Sequence, residues 1–332
     1  MGLCMRYRPF GSTGIEVSEL VFGGGAVGGL LIDAEDDIKL ATIKRALSAG
    51  INWIDTAPSY GNGQSEQALG SILTLLDKKA DAQPYVSTKV NIDTRDLYDL
   101  AGQVERSLHG SLERLNLPKV TLLQLHNPIG TQSQGRTIGL GEVLKPHGVL
   151  DAMEAMRDQG LIEHFGITAL GDVAALTKVI KSNRIASAQV YYNLLNPSAG
   201  QSMPAAWPHY NFTGIIDTCV EHQVATMNIR VFAAGVIATD ARHGREQPLT
   251  PGDSVESETR KAKMIFEELG DDYGTRAQTA LRFALARERL SCIVFGLATP
   301  AHLEEALSAQ KLGPLPSEAM ARINRIHAAY VH

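Results

Sequence analysis

The sequence predicts an α/β fold: a (β/α)8 TIM barrel with an N-terminal β-hairpin and extended loops at its mouth. Eight short, β-favouring apolar runs recur along the 332 residues. Helical periodicity fills the gaps between them, and Gly, Pro or Asn bounds most of the runs. Eight alternating units imply parallel strands with helices outside, and eight is the number that closes a barrel.

The hairpin comes first. Residues 6–19 contain Gly11-Ser12-Thr13-Gly14, a turn sequence between two short arms, placed where the hairpin could plug the barrel bottom. Strand one is expected at 19–22. A helical stripe follows in Ile38, Leu40, Ala41, Ile43, Ala46 and Leu47, and Ala49-Gly50 ends it before strand two at 51–54. Strand three falls at 85–88. The next stripe runs over 97–115 through Leu100, Val104, Leu108, Leu112 and Leu115, ahead of strand four at 120–125. A helix over 150–156 ends near Gln159-Gly160 before strand five at 164–167. Helices over 173–180 and 214–219 flank strand six at 187–191, and strand seven is expected at 225–231. Strand eight, at 291–295, lies between helices over 277–286 and 301–307. The wider gaps at 130–147 and 235–272 read as extra loop.

An open doubly wound sheet is the competitor. Gly23-Gly24-Gly25-Ala26-Val27-Gly28-Gly29 can be forced into the dinucleotide-binding glycine pattern. No helix is expected there until about Asp36, and no acid ends a second strand at the required distance, so the barrel is preferred.

Composition bounds the function classes. Hydrophobic residues make up 44% and charged residues 20%, which fits a packed globular chain, expected as one domain over 1–332. Thirty-one basic residues against 36 acidic ones leave a net charge of −5, unfavourable for nucleic acid. Cys4, Cys219 and Cys292 are too few and scattered for a disulfide framework or a zinc cluster, so no metal is expected. The apolar stretch 20–32 is too short and Gly-rich to span a bilayer, and the opening MGLCMRYRPF has no apolar signal region. The expected location is the cytoplasm.

In such a barrel, chemistry sits at the C-terminal ends of strands and in the loops that follow. Strand two ends in Asp55, strand three in Lys89 and strand four just before His126, and Tyr60 lies in the loop after strand two. Each alone has a structural explanation as a cap, a turn former or packing. Their coincidence on one rim points to chemistry. A phenol is a poor acid at neutral pH, with a reference pKa of about 10; an adjacent ammonium favours the phenolate, and a carboxylate keeps the ammonium charged and oriented. Asp55 would hold Lys89, Lys89 would tune Tyr60, and Tyr60 would exchange a proton with a substrate oxygen that His126 positions. None of the four stores electrons, so redox chemistry would need a cofactor.

These residues lie in segments that resemble the aldo-keto reductase superfamily along nearly the whole chain: RPFGSTGIEVSEL, FGGG, INWIDTAPSYGNGQSEQALG, STK, LLQLHN, HFGIT, QVYYNLLN and FGLATPAHLEEAL. The family's Asp, Tyr, Lys and His fall on Asp55, Tyr60, Lys89 and His126. FGGGAVGG and YNLLNPSA are most similar to the aldose dehydrogenase branch, which acts on L-fucose, L-galactose or D-threo-aldoses. The resemblance implies an NAD(P)(H)-dependent oxidoreductase acting on an aldose or a small aldehyde or ketone. For the cofactor it implies Gln189 and Thr168 on the nicotinamide carboxamide, with Ala169 where the family has Asn. It implies Gly24, Asp55 and the turn of Phe232, Ala233 and Gly235 along the dinucleotide, with Phe232 the candidate for stacking. Gly296, Ala298, Thr299, His302 and Glu305 fall at the adenosine end. Residues 290–310 contain no Lys or Arg, so the reading favours NAD over NADP; His302, Thr299 and a helix N-terminus are the alternative grip for a phosphate. Trp207 and Tyr210 either stack on a sugar or pack their loop. Two other functions stay open: a lyase or aldolase using Lys89 as a Schiff-base amine, and a non-catalytic regulatory subunit of the same fold. The oligomeric state is open.

Overall fold

The computed structural model describes residues 5–77, 81–204, 207, 210–242, 244–250 and 252–329; Cys4 lies outside them. Two short arms, β1 (Tyr7–Pro9) and β2 (Glu16–Ser18), pair antiparallel with Pro9 opposite Glu16. Phe10 N–H closes the turn on Ile15 O at 2.8 Å. A two-stranded ribbon cannot bury its own apolar face. Phe10 and Val17 therefore enter the barrel floor, where they join Val21, Trp53, Leu122, Ala225, Met227 and Cys292 in a cluster separate from the main core. The Phe10 and Trp53 ring centroids lie 4.6 Å apart. Arg8 anchors the plug: it bonds Glu19 and reaches the carbonyls of Leu285, Arg287 and Leu290.

The barrel strands are β3 (Leu20–Gly23), β4 (Trp53–Asp55), β5 (Tyr85–Val90) and β6 (Val120–Leu125). After a small pair, β7 (Ile129–Gly130) and β8 (Ile138–Gly139), come β9 (Ile162–Ala169), β10 (Ser187–Tyr191), β11 (Ala225–Ile229) and β12 (Cys292–Gly296). They close in the order β3-β4-β5-β6-β9-β10-β11-β12, and β12 returns parallel to β3 with Gly296 opposite Gly23. Leu, Ile and Val on the outer faces meet the helices in the main core.

The seven expected helices form, at Asp36–Ser48, Leu100–Leu115, Val149–Asp158, Val173–Lys181, Ile215–Glu221, Arg276–Leu285 and Pro300–Leu312. The second starts at Leu100 because the Asp99 side chain accepts from Gly102 N–H and caps it. Several expectations need correction. The loop assigned to 235–272 contains the helix Val255–Leu269, and the gap 130–147 contains the short helix Leu140–Leu144. A helical turn, Leu30–Asp33, precedes Asp36. Helices Gln64–Leu75 and Ser317–Ala329 were not expected; the first buries Ser65, Glu66 and Gly70 beside Leu69 and Ile72, and the second buries Ala319, Ile323 and His327. Strand seven stops at Ile229 because Arg230 turns left-handed, with φ of 61°. Strand two begins at Trp53, since Ile51 N–H is still bonded to Ala46 O at the end of the preceding helix. Among the described residues no helix is long and apolar enough to cross a membrane.

Candidate active site

Side chains alternate along a strand, so Trp53 and Asp55 share one face of β4, and Ser87 and Lys89 share one face of β5. Both pairs point into the barrel and stack into a column. Trp53 Nε1 donates to Ser87 Oγ at 3.0 Å, and Ser87 Oγ donates to Asp55 Oδ1 at 2.7 Å. Gln189 Nε2 on β10 donates to the same oxygen at 3.0 Å, while Lys89 Nζ meets Asp55 Oδ2 at 2.7 Å. Lys89 also donates to Thr56 O at 2.8 Å. The ion pair is sealed from water: Lys89 is 1% and Asp55 3% exposed. Burial works against the Lys89 charge, but Asp55 and Tyr60 outweigh it and hold the ammonium above its ordinary pKa.

Tyr60 reaches the column from the loop after β4. Gly61, Asn62 and Gly63 behind it all have left-handed φ, which accounts for the Gly-Asn-Gly sequence at that turn. Thr56 and Ser65 share a hydrogen bond at 2.8 Å, and Ser65 donates to Gly24 O, so the loop is tied to both neighbouring strands. Lys89 Nζ lies 4.7 Å from the centre of the Tyr60 ring. His126, just past β6, presents its ring edge-on to Tyr60 at 6.0 Å. Its backbone N–H bonds Val90 O at 2.8 Å. Its Nδ1 lies 3.3 Å from the amide nitrogen of Asn91. That nitrogen can only donate, so Nδ1 accepts, which favours the tautomer with the proton of the neutral ring on Nε2. Burial pushes the His126 pKa down to about 3, and the charges of Lys89, Arg136 and Arg230 add to the effect. The four predicted groups thus meet at one mouth.

The other predicted residues fall around that mouth. Thr168 and Gln189 are register partners on β9 and β10, both buried, with their side-chain oxygens 3.5 Å apart. Ala169 is the last residue of β9. Gly24 is buried with both backbone groups in use: its N–H bonds Asp55 O and its carbonyl accepts Ser65. The exit from β11 is a cramped turn in which Arg230, Ala233, Ala234 and Gly235 all have positive φ, and Phe232 is half-buried against the core. Across the rim, Gly296 ends β12 and Ala298 N–H donates to His302 Nδ1 at 3.2 Å. Thr299 stands at the N-cap of Pro300–Leu312 without a side-chain cap bond. Glu305 accepts from Thr275, and Glu304 pairs with Arg45 at 2.7 Å. Gly28 packs so closely on Leu297 that a Cβ would come within 2.6 Å of its backbone, which explains one glycine of the rich segment.

Trp207 and Tyr210 pack their loop. Trp207 is buried, lies edge-on to His327 at 6.0 Å and donates to Tyr210 O, while the Tyr210 ring contacts Phe212 at 5.5 Å. Sequence reasoning missed Ser87, Asn91, Arg136, Arg230 and Arg245. Ser87 on β5 and Asn91 one residue past its end are two residues either side of Lys89, and that spacing could have found them. Arg245 Nη1 crosses to Asp33 at 2.7 Å and to Ala26 O at 3.0 Å, a long-range contact without a local signal.

The aldo/keto reductase family profile matches residues 19–328. L-galactose dehydrogenase of Arabidopsis thaliana is 24% identical over 307 residues, covering 91% of this chain and 87% of its own. D-threo-aldose 1-dehydrogenase of a Pseudomonas species is 27% identical over 324 residues, covering 89% of each. Among solved structures, aldo-keto reductase AKR11C1 from Bacillus halodurans in its holo form superposes with a TM-score of 0.71 at 22% identity, covering 97% of this chain and 96% of that one. The closed eight-stranded barrel and the matched span agree: this chain belongs to the aldo/keto reductase family.

Proposed function

We propose that the protein is an NAD(P)-dependent oxidoreductase that interconverts a carbonyl and an alcohol, acting on aldoses or small aldehydes and ketones, with Tyr60 as general acid and base. One observation carries this reading: a buried ammonium, fixed by Asp55 at 2.7 Å, sits 4.7 Å from the centre of the Tyr60 ring. In the reductive direction Tyr60 gives its hydroxyl proton to the carbonyl oxygen, and Lys89 stabilises the negative charge left on the phenol oxygen. In the oxidative direction the phenolate takes the proton back from the alcohol. Neutral His126 donates Nε2–H to the same oxygen and orients it. Asp55 keeps Lys89 charged and aimed throughout.

A nicotinamide, when bound, supplies or accepts the hydride. The donor set suits it: Thr168 and Gln189 put a hydroxyl and a primary amide side by side, the pairing a carboxamide needs. Gly24, Phe232, Ala233 and Gly235 would line the dinucleotide. Gly296, Ala298, Thr299 and His302 would hold its far end, where the uncapped helix start at Pro300 leaves N–H groups for a ribose or phosphate. NAD is favoured over NADP because residues 290–310 lack Lys and Arg, and Arg45, which reaches this rim, is already paired with Glu304. Glu305 is engaged by Thr275 at the edge of this end.

The Schiff-base alternative is disfavoured by the state of Lys89. A nucleophilic amine must be unprotonated, and this one is clamped by Asp55 and Thr56 and held in its charged form. The test is to follow reduced nicotinamide by absorbance with a panel of aldoses, aldehydes and ketones, both cofactors and both directions. Turnover with at least one carbonyl–alcohol pair is expected. Cofactor binding with no turnover across the whole panel would contradict the reading.

A further inference from the structure

A cavity of about 670 Å³ opens beside the four-residue centre, lined by Ser59, Asn91, Asn127, Ser133, Gln134 and Arg136 among others. It adjoins the mouth on two sides, since Ser59 precedes Tyr60 and Asn91 bonds His126. Its hydroxyl and amide walls suit a polyhydroxylated molecule rather than an apolar one. Its charges are unequal. Asp93 and Arg95 also line it but close on each other through bonds of 2.6 to 3.2 Å, which cancels both. Arg136 stands apart. A tight turn, in which Gln134 and Thr137 exchange backbone hydrogen bonds at 2.9 and 3.0 Å, holds its backbone. Asn127 Nδ2 fixes its carbonyl at 2.9 Å. Among the described residues its guanidinium has no hydrogen bond and no ion pair. An anchored stem with an uncommitted, fork-shaped cation facing a polar cavity fits an oxyanion. The positive field of Arg136 also reaches His126.

We propose that this cavity takes the non-reacting end of an anionic, hydroxyl-bearing carbonyl substrate, with the Arg136 guanidinium paired to its carboxylate or phosphate. The proposal rests on hydride transfer occurring at the adjoining mouth. It narrows the substrate class from neutral aldoses to sugar acids or sugar phosphates.

The experiment compares a neutral hexose, its uronic acid and its 6-phosphate as substrates of the intact protein, reading kcat and KM separately at low and high salt. At least one anion should exceed the neutral sugar in kcat/KM by about tenfold, through KM, with the advantage shrinking in salt. The two anions separate a carboxylate from a phosphate. In Arg136→Gln the anion-to-neutral ratio should fall to near one, in Arg136→Lys it should be intermediate, and in Arg136→Glu it should invert. The side chain is on the surface, so thermal melts of the variants should match the wild type. A ratio near one in the wild type, or a ratio unmoved by Arg136→Gln, overturns the proposal while leaving hydride transfer standing. No turnover of any of the three sugars, or of any other carbonyl compound with either cofactor, overturns both.

Discussion

The amide nitrogen of Asn91 sits 3.3 Å from Nδ1 of His126, a contact that favours the tautomer with the proton on Nε2. Burial and the neighbouring cations push the His126 pKa down to about 3, which keeps the ring neutral between about pH 5 and 8. Nitrogen NMR of labelled protein should show that tautomer. The pH profile of kcat/KM should have no limb from His126 between about pH 5 and 8. Asn91→Asp puts a carboxylate against Nδ1 and should introduce such a limb; a profile identical to the wild type would contradict the role given to Asn91. Stability follows the same titration. Below the ordinary imidazole pKa the unfolded chain binds a proton that the native ring refuses, so this contribution is lost as pH falls from about 6.5 towards 3.

Asp55 accepts from Ser87, Gln189 and Lys89 at once. Asp55→Ala strands a buried ammonium and should cost about 3–5 kcal/mol in chemical denaturation. Ser87→Ala removes a donor to Asp55 and the acceptor of the buried Trp53 Nε1, and should cost about 1–3 kcal/mol. Equal losses would show that the ion pair is not what the column depends on.

Glu258 is buried on the helix over the β11 exit, and burial with repulsion from Asp253 lifts its pKa to about 7, against partial relief from Lys261 and Arg230. Between its ordinary value of 4.5 and about 7 the native carboxyl keeps a proton that the unfolded chain has lost. Its contribution to stability therefore falls as pH rises through that window. Glu258→Gln should remove this dependence, so the variant should gain on the wild type from pH 5 to 8 in denaturant midpoint. A constant difference would contradict the buried, neutral carboxyl.

Phe10 is fully buried against Trp53. Phe10→Ala should cost about 3–5 kcal/mol, read by denaturation, because the barrel floor has no other chain to fill the void. A loss below about 1 kcal/mol would mean the hairpin is peripheral.

The barrel was legible in the sequence because each strand is a short apolar run between turn residues, and because Asp55, Lys89 and His126 sit at or just past equivalent strand ends. Tyr60 was legible only with them, since a loop tyrosine alone carries no signal. The helix Gln64–Leu75 escaped because Ser65, Glu66 and Gly70 occupy its buried face, which blurs the periodicity. Ser87 shares the Lys89 face of β5 and Asn91 lies one residue past its end, yet alternation names a face and not a partner. Arg136, Arg230 and Arg245 escaped for a different reason. Their neighbours come from distant loops, and a cation in a polar stretch reads as solvated surface until the chain is folded. Trp207 was ambiguous in sequence; its burial against His327 came only with the C-terminal helix.

The most direct measurement is turnover by Tyr60→Phe alongside cofactor binding by fluorescence quenching. The variant keeps the ring over Lys89 and removes only the hydroxyl. Turnover should fall by at least about 10²–10⁴ while the affinity for nicotinamide cofactor stays within a few-fold of the wild type. Turnover that survives the loss of the hydroxyl would contradict proton transfer by Tyr60.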